Sequence, residues 1–339
     1  MNKKRVSLKD VAELAGVSYQ TVSKVLNGQV HVAPETLTRI QDAARQLAYK
    51  PNRQARNLRV QRSHLIGYSW EPSEAGQANF ILDTFLTSMV AEAEAAGYHL
   101  LPFPYRGGQD LIQGYQDLID AGYVDGFVLT SVNYDDPRVQ FLVERQFPFV
   151  AFGRSNPDLD YLWVDVDGEA GLRAATQHLL ERGHRRIAAL AWPEDSRVGN
   201  ERLGGYFGAL AAAGITPRPE WIVRGEGTFA FAFAATQRWL GLEPERRPTA
   251  VVAMSDTMAI GALHAAQHQG LTVGRDLAIV GFDDAPMAEY LWPPLSSIRQ
   301  PIREAGRRCV ELLTKTIDGQ PLAERHVLLM PELIVRASA

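Results

Sequence analysis

Short apolar runs alternate with amphipathic stretches along most of the chain after residue 62. The runs predict strands over 65–70, 99–105, 126–131, 148–153, 162–166, 186–192, 221–225, 250–255 and 277–282. The stretches repeat apolar residues at helical spacing and predict helices over 80–96, 109–121, 138–145, 169–182, 200–213, 230–240, 257–269 and 302–317. This alternation predicts an α/β body with doubly wound parallel sheets. The strands are too many for one comfortable sheet, and a break at Asn156-Pro157-Asp158 indicates two similar lobes.

The first fifty residues follow a different pattern, that of three short helices. Ser7 can cap a first helix that Gly16 ends, Ser18 can cap a second over 19–26, and a third follows over 34–48. Their apolar positions at helical spacing are Leu8, Val11, Ala12, Leu14 and Ala15, then Val22, Val25 and Leu26, then Leu37, Ile40, Ala44 and Leu47. Two short helices across a tight turn, braced by a third, are typical of a helix-turn-helix DNA-binding unit.

Charge is distributed unevenly between this front segment and the rest of the chain. Residues 1–62 hold twelve lysines and arginines against four acidic residues, a net charge of +8, whereas the remainder of the 339 residues carries −12. A basic N-terminal segment on an acidic body predicts that only this segment binds a polyanion. In helix-turn-helix units the start of the second helix enters the major groove, where Tyr19, Gln20 and Lys24 can contact base edges or phosphates.

Composition excludes several classes of protein. The single cysteine, Cys309, allows no intrachain disulfide and no multi-cysteine metal site. No stretch approaches the roughly 18 consecutive apolar residues of a membrane span, and no apolar signal core follows the basic N-terminus. We therefore expect a cytoplasmic protein and disfavour a periplasmic binding protein, which would need an export signal.

The segment Val6–Asn27, VSLKDVAELAGVSYQTVSKVLN, resembles the headpiece of the lactose-repressor/galactose-repressor (LacI-type) family. In that family the counterparts of Tyr19, Gln20 and Lys24 read bases, although arginine is common where this chain has Lys24. Ala33 also departs from the family, which usually has a serine cap there. The DNA-binding set that we predict is Ser7, Ser18, Tyr19, Gln20, Thr21, Ser23, Lys24, Asn27, His31, Asn52, Ala55 and Leu58.

Residues 50–62 form a basic linker that can hold a short helix. Pro51 ends the third headpiece helix, and one or two helical turns from Asn52 would place Ala55 and Leu58 on one face. A helix that short is marginal in water, so we expect it to order only on DNA and beside a second copy. The resemblance implies that paired hinge helices enter the minor groove, where Leu58 wedges between base steps. The alternative is a flexible tether.

The resemblance continues in the body, notably at Arg202-Leu203-Gly204-Gly205-Tyr206, Ser255-Asp256-Thr257 and Val280-Gly281-Phe282-Asp283-Asp284. It implies an all-α headpiece joined to a two-lobed α/β body like that of periplasmic binding proteins, with three crossovers between the lobes. The predicted organisation is a headpiece over 1–49, a hinge over 50–62, and an effector-binding and dimerisation domain over 63–339. The first lobe is predicted over about 63–160 and 293–320, and the second over about 161–292 and 321–339.

Ligands of open α/β sheets bind beyond the carboxyl ends of the strands. Family motifs match there at Arg202, which can fork two hydrogen bonds to vicinal hydroxyls or a carboxylate, and at Asp283, which can accept from hydroxyls or a ring N–H. Aromatic residues near these ends can stack on the apolar face of a sugar, or can equally belong to the core. The predicted effector-binding set is Trp70, Glu71, Phe80, Ser131, Arg154, Trp192, Arg202, Phe229, Ser255 and Asp283.

Motifs for enzymes are weak in this sequence. Residues 225–230 fit the dinucleotide pattern, but the acidic residues about 20 positions later lie in a Pro/Arg-rich loop, where a strand end is required. His264 and His268 are four apart on a predicted helix but lack the glutamate of a zinc-protease motif. Asp283 and Asp284 are sequence neighbours and are unsuited to flank one glycosidic bond. We expect no enzyme, no cofactor and no metal.

The sequence therefore predicts a transcription repressor of a catabolic operon whose DNA affinity is switched by a small effector between the lobes. We expect a mono- or disaccharide first; a purine or nucleoside, a protein corepressor, or a non-regulatory sugar-binding role are the alternatives. Palindromic double-stranded operator DNA and a second copy of the chain are the expected partners, because two-fold dimers match palindromic half-sites. No leucine heptad follows the apolar run Val327–Val335, so we expect a dimer, and no membrane partner.

Overall fold

The computed structural model describes residues 6–26, 31–49, 62–70, 79–104 and 111–339. The chain divides into two compact units, Met1–Ser63 and His64–Ala339. Several predicted site residues lie outside the described residues, namely Asn27, Asn52, Ala55, Leu58 and Glu71, together with the side chain of Trp70.

The first unit contains the three predicted helices, α1 (Leu8–Ala15), α2 (Tyr19–Leu26) and α3 (Pro34–Gln46). Gly16 ends α1 with a φ of 65°, a left-handed conformation that glycine adopts without steric cost. The Ser18 hydroxyl accepts a hydrogen bond from the Thr21 backbone N–H at 3.1 Å and so caps α2, as predicted. The Asp10 carboxylate accepts from the Ser7 backbone N–H at 2.7 Å, which fixes the start of α1.

A small apolar core holds these three helices together. Its buried residues are Val11, Ala12, Ala15, Val22, Ile40 and Ala43. Two positions of the predicted apolar stripes do not belong to it, because Leu14 is 47% exposed and Leu37 is 38% exposed. A core this small buries only a narrow arc of each helix, so apolar residues at the edge of the stripe stay in contact with water.

The body contains two six-stranded sheets. The strands of the first are β1 (Leu65–Trp70), β2 (His99–Pro104), β3 (Gly126–Leu129), β4 (Phe149–Phe152), β5 (Leu162–Val166) and β11 (His326–Leu329). They are all parallel, in the order β11-β5-β4-β3-β1-β2. The helices of this lobe are α4 (Phe80–Ala95), α5 (Gln113–Asp120), α6 (Pro137–Glu144) and α11 (Ile302–Ile317).

Alternating residues of the first sheet build two separate cores. Val128 of β3 packs into a cluster with residues of α4 and α11, whereas its neighbours Phe127 and Leu129 pack into a cluster with residues of α5 and α6. Successive side chains of a strand point to opposite faces, so a strand buried on both faces is apolar throughout. This explains why continuous apolar runs, without alternation, marked the strands in the sequence.

The second sheet consists of β6 (Ile187–Ala191), β7 (Ile222–Arg224), β8 (Ala250–Ala253), β9 (Ala278–Asp283), β10 (Ser296–Arg299) and β12 (Glu332–Ile334). Its order is β12-β10-β9-β8-β6-β7, and β12 alone runs antiparallel to its neighbour. Its helices are α7 (Gly168–Glu181), α8 (Arg197–Ala212), α9 (Phe229–Leu240) and α10 (Asp256–His268), with 3-10 turns at Pro219–Trp221 and Pro286–Tyr290. Each predicted strand and helix of the body is present, a few such as β1, β5 and α11 with the predicted ends and most with shifted ones.

The lobe boundaries differ from the predicted ones. Residues 162–166 are predicted in the second lobe, but β5 pairs with β4 in the first sheet. Residues 296–299 are predicted in the first lobe, but β10 pairs with β9 in the second sheet. The single apolar run Val327–Val335 divides into β11, in the first sheet, and β12, in the second. The three crossovers therefore follow β5, β10 and β11. Periodicity identifies a strand, but long-range pairing decides which sheet it joins.

Three further features concern membrane-spanning helices, metal sites and the single cysteine. No helix in the part of the chain that the structure describes is long and apolar enough to cross a membrane. Across those same residues, no group of three or more His, Cys, Asp or Glu side chains is placed to hold a metal ion. Cys309 is buried in α11 among apolar side chains, where it packs as a small apolar residue.

Candidate functional site

A buried arginine lies beside the carboxyl end of the second sheet. Arg202, on α8, is 5% exposed and donates a hydrogen bond to the Met254 carbonyl at 2.5 Å. Its guanidinium carbon lies 3.6 Å from the ring centre of Phe282 and 4.7 Å from that of Trp192. Contacts with two aromatic rings fix the plane of the guanidinium, so its N–H groups point in fixed directions.

Arg202 retains hydrogen-bonding capacity that the protein does not use. Its Nε atom is buried and has no hydrogen-bond partner among the described residues. Burial lowers the pKa of Arg202 to about 10, an effect that the nearby Asp283 carboxylate opposes. The guanidinium therefore stays charged at neutral pH. An unpaired buried donor destabilises the protein by about 1–3 kcal/mol, which a ligand that accepts its hydrogen bond would offset.

Asp283 ends β9 and supplies an acceptor near Arg202. Its φ of 119° is rare for a residue other than glycine, a kind of strain that clusters at functional sites. The side-chain amide of Gln300 donates to its Oδ1 at 2.7 Å. Burial raises the pKa of Asp283 to about 6, although Arg202 and Gln300 both act to lower it. At neutral pH this carboxylate can accept hydrogen bonds from ligand hydroxyls, as its sequence motif predicts.

Asp256 lies at a strand end and in a family motif that the sequence analysis identified, although it is not in the predicted effector-binding set. It begins α10, is buried, and accepts hydrogen bonds from the Ser297 hydroxyl at 2.5 Å and the Ala285 N–H at 2.7 Å. Burial and the nearby Asp283 raise the pKa of Asp256 to about 8. It thereby ties α10 to β10 and to the loop that follows Asp283. Gly281 permits this close approach, because a Cβ there would lie 2.3 Å from Asp256 Oδ1.

Two serines of the predicted effector set shape the backbone near the cleft. The Ser255 hydroxyl accepts a hydrogen bond from the Met258 N–H at 3.3 Å and caps α10. Ser131 follows β3 with a φ of 54°, and its carbonyl accepts from Arg138 Nη2 at 3.1 Å. Both residues lie at carboxyl ends of strands, as predicted, but the bonds that the structure gives them are internal.

Arg154, also predicted to bind the effector, is engaged by two acidic side chains. Its Nε donates to Asp165 Oδ2 at 2.7 Å, and its Nη2 lies 2.9 Å from a carboxylate oxygen of Glu201. Its guanidinium carbon lies 5.3 Å from the ring centre of Trp163. Because Glu201 belongs to α8 of the second lobe, Arg154 bridges the two lobes.

A cavity of about 460 Å³ opens beside Asp283. It is lined by Phe80 at the start of α4, by Thr84 one turn later, and by Gln300 and Arg303 around the crossover after β10. Its volume falls within the range of roughly 300–1,000 Å³ that is usual for small-molecule sites. Two predicted residues, Phe80 and Asp283, thus share one cavity. Gln300 joins them as a residue that sequence reasoning missed.

The headpiece exposes most of its predicted DNA-binding residues. The exposed ones are Ser7, Ser18, Tyr19, Gln20, Lys24 and His31, whereas Thr21 is half-buried. The side chains of Ser18 and Thr21 hydrogen-bond to each other at 2.8 Å. Ser23 is different: it is only 5% exposed, because it follows Val22 on the inner side of α2. Its predicted contact with DNA is therefore not available to its side chain in this arrangement.

Comparison with known proteins connects the headpiece and the body. Residues 7–52 match the family described as "Bacterial regulatory proteins, lacI family", and residues 176–339 match the "Periplasmic binding protein-like domain". The HTH-type transcriptional regulator CelR of Thermobifida fusca is 36% identical, over 99% of this chain and 99% of its own. The chain belongs to the LacI family. A second relative of this LacI-family regulator, the repressor PurR of Erwinia tasmaniensis, is 33% identical over 98% of this chain and 96% of its own.

Solved structures match the LacI-family regulator in both fold and sequence. A LacI-family regulatory protein from Chloroflexus aggregans is 60% identical, with a TM-score of 0.79 over 81% of this chain and 98% of its own. The lac repressor dimer bound to operator and the anti-inducer ONPF is 29% identical, with a TM-score of 0.85 over 99% of each chain. A CelR–cellobiose complex is 34% identical, with a TM-score of 0.75 over 99% of this chain and 100% of its own. The predicted family and fold class are confirmed, and the chain is a DNA-binding transcriptional regulator.

Phe229 lies in a different setting from the one predicted. On α9 of this LacI-family regulator its ring stacks on Phe233, with ring centres 5.8 Å apart, and meets the edge of His264 at 5.4 Å. Both Phe229 and His264 are exposed. The first turn of α9 thus directs this side chain towards the surface of α10 instead of towards Arg202, because α9 and α10 pack side by side.

Proposed function

We propose that this LacI-family regulator represses a catabolic operon from the cytoplasm, and that a neutral sugar bound between Arg202 and Asp283 switches its affinity for DNA. The observation that carries the proposal is that the buried guanidinium of Arg202, which has an unused donor, stands near the Asp283 carboxylate, which can accept hydrogen bonds. Adjacent hydroxyls of a sugar can accept from the one and donate to the other. The relative whose structure contains cellobiose supports a sugar as the ligand class.

The charge balance of the cleft favours a neutral ligand over a phosphorylated one. Arg154 and Arg197 are paired with Asp165 and Glu201 at distances of 2.7–2.9 Å. Arg202 in turn is close enough to acidic groups that they raise its pKa against the effect of burial. Recognition of a phosphate relies on cations that can form charge-assisted bonds to it, and Arg154, Arg197 and Arg202 already lie close to acidic groups.

A purine or nucleoside is the second candidate, because PurR is among the relatives. A base is usually held by stacking on an aromatic ring. The rings of Trp192 and Phe282 beside Arg202 already stack on its guanidinium. This arrangement offers a base less free aromatic surface, and it supports the sugar over the purine.

At the operator, we propose that α2 enters the major groove and directs Tyr19, Gln20 and Lys24 to the bases. Their exposure on one short helix of a basic headpiece supports this role. From the family resemblance, the segment that includes Asn52, Ala55 and Leu58 would contact the minor groove. Two headpieces, each on one half of a palindrome, would combine two weak contacts into one specific contact.

We propose that a second copy of the chain covers an aromatic surface on the second lobe. Tyr290 is 82% exposed and Trp292 is 84% exposed, and Phe229 on α9 of the same lobe is 40% exposed. Gln267 of α10 donates to the Trp292 carbonyl at 2.6 Å, which holds this loop on α10. Such exposed apolar surface is typical of an interface, and a palindrome requires a two-fold partner. The lac repressor structure, described as a dimer, supports a second copy of the chain as the partner that covers this surface.

The switch is a linkage between effector and DNA. The effector favours one arrangement of the two lobes, and only one arrangement holds the two headpieces in a spacing that fits the operator. An effector that moves this equilibrium from 1:99 to 99:1 must bind the favoured state by about 5.5 kcal/mol more tightly. Inducer and corepressor differ only in which arrangement binds DNA.

A thermal-shift screen of the full chain tests the ligand class. We would compare cellobiose and glucose with glucose 6-phosphate, inosine and guanine. A ligand at 100 times its Kd stabilises the native state by about 2.7 kcal/mol, which is readily detected. We expect a shift with a neutral sugar, and operator binding measured with and without it gives the sign of the switch. A shift with the purines alone, or with the phosphate alone, would overturn the sugar assignment.

A further inference from the structure

The two lobes contact each other through a loop that follows β3. Asn133 in this loop uses both ends of its side-chain amide: its Nδ2 donates to the Asp195 carbonyl and its Oδ1 accepts from the Arg197 N–H, each at 2.9 Å. Arg197 begins α8 in the second lobe, and Asp195 lies just before the residue that caps this helix. A pair of opposed hydrogen bonds from one rigid amide fixes both distance and orientation between the two backbones.

Four charged side chains continue this contact beside Asn133. Within the lobes, Arg154 pairs with Asp165 at 2.7 Å and Arg197 pairs with Glu201 at 2.8 Å. Between the lobes, Arg154 lies 2.9 Å from Glu201, and Arg197 lies 3.8 Å from Asp165. Each cation thus has one acidic partner in its own lobe and one in the other. We call Asn133 and these four residues the interlobe clasp.

The loop that carries Asn133 is held rigid by a buried ion pair. Arg138, 1% exposed, pairs with Asp136 at 2.6 Å and donates to the carbonyls of Thr130 and Ser131 at 3.0 and 3.1 Å. These bonds brace a short loop in which Ser131 adopts a positive φ. Asn133 is therefore presented to the second lobe in a set position, and little conformational entropy is lost when its two bonds form.

The topology places Asn133 at some distance from the crossovers between the lobes. The crossovers follow β5, β10 and β11, and β4 separates β3 from β5 in the first sheet. Rotation of the lobes about the crossovers displaces the end of β3 more than the ends of the crossover strands. Contacts at the end of β3 therefore resist opening with a longer lever than contacts at the crossover strands themselves.

We propose that Asn133, Arg154 and Glu201 are positioning residues that hold the two lobes closed over the ligand cleft. Arg154, which sequence reasoning assigned to the effector, then acts through Glu201 instead of through a ligand atom. Loss of the clasp raises the population of the open arrangement and so weakens any ligand that binds the closed one. The inference rests on the proposed function for the identity of that ligand, but the lobe movement can be measured without it.

The distance between the lobes tests the proposal directly. Spin labels on Gln140→Cys in α6 and Ala211→Cys in α8, both exposed positions, report it by double electron–electron resonance. Cys309 is buried and stays unlabelled. The full chain is used, and labelled chains are diluted into an excess of unlabelled ones so that distances within one chain dominate. Asn133→Ala and Glu201→Gln should each move the distribution to longer distances, with the long-distance population rising about two- to fivefold.

Glu169→Gln is the matched control, because it makes the same change in an exposed pair with Arg173 that lies wholly within the second lobe. It should leave the distances unchanged. Arg154→Met combined with Glu201→Gln should shift the distribution no further than either change alone, since each change removes the same contact between Arg154 and Glu201. Unchanged distances in Asn133→Ala and Glu201→Gln would overturn the clasp. A larger shift in the double variant would overturn the assignment of Arg154. A failed sugar screen affects neither result.

Discussion

Replacing Arg202 with methionine removes the guanidinium but keeps an apolar stem. The stem is closely packed, since a Cβ on Gly168 would lie 2.9 Å from Arg202 Cγ, so truncation to alanine would add a cavity that methionine avoids. The lost interaction with the effector is a hydrogen bond to a charged group, worth about 1.5–3 kcal/mol. At 25 °C this corresponds to a roughly tenfold to 150-fold rise in the Kd of the effector.

The same substitution should also lower the stability of the second lobe. The Met254 carbonyl loses a donor, two aromatic rings lose their cation, and Asp283 loses a nearby opposite charge. Breaking a buried ion pair usually lowers the free energy of unfolding by about 3–5 kcal/mol. Because the pKa of Asp283 is already about 6, it can take up a proton, and we expect a loss of only about 1–3 kcal/mol. A melting curve without ligand measures this loss.

Isothermal titration with the sugar found in the screen measures the Kd. Arg173→Met is the control: it makes the same chemical change at an exposed arginine on α7, and it should leave the Kd unchanged. Operator affinity without sugar should stay close to that of the wild type in both variants, because the headpiece is a separate unit. If Arg202→Met bound the sugar as tightly as the wild type, the assignment of the cleft would be refuted.

Three further predictions concern other parts of the molecule. Sugar affinity should fall as the pH drops through about 6, where the raised pKa of Asp283 lets its carboxylate take up a proton, and titrations should show a flat profile for Asp283→Asn. Gly281→Ala should lower the free energy of unfolding by about 1–3 kcal/mol in chemical denaturation, since its Cβ would lie 2.3 Å from Asp256 Oδ1. Lys24→Ala should weaken operator binding by about 1–3 kcal/mol in fluorescence anisotropy; an equal loss of sugar affinity would contradict separate sites.

The helices and strands of this protein were readable from local sequence because their causes are local. Central strands such as β3, β6 and β8 are buried on both faces and are apolar throughout, and the edge strands β2 and β7 are apolar enough to appear as short runs as well. Gly16 and Ser18 marked the turn between α1 and α2, because a left-handed residue and a capping hydroxyl are needed at those points. The family motifs also identified Arg202 and Asp283, and the structure brings them close enough that the charge of Asp283 raises the pKa of Arg202.

Only the tertiary structure decided which partners these elements and side chains have. The sheet that β5, β10 and β11 join depends on hydrogen bonds to strands far away in sequence, and no local pattern records that choice. Likewise, the burial of Asp256 and the engagement of Arg154 by Glu201 depend on elements that approach from elsewhere in the fold. The sequence alone determined where the chain forms helices and strands and which family it belongs to. The packing of distant segments determined which polar groups are buried, paired or left free for a ligand, because burial and pairing are properties of neighbours in space.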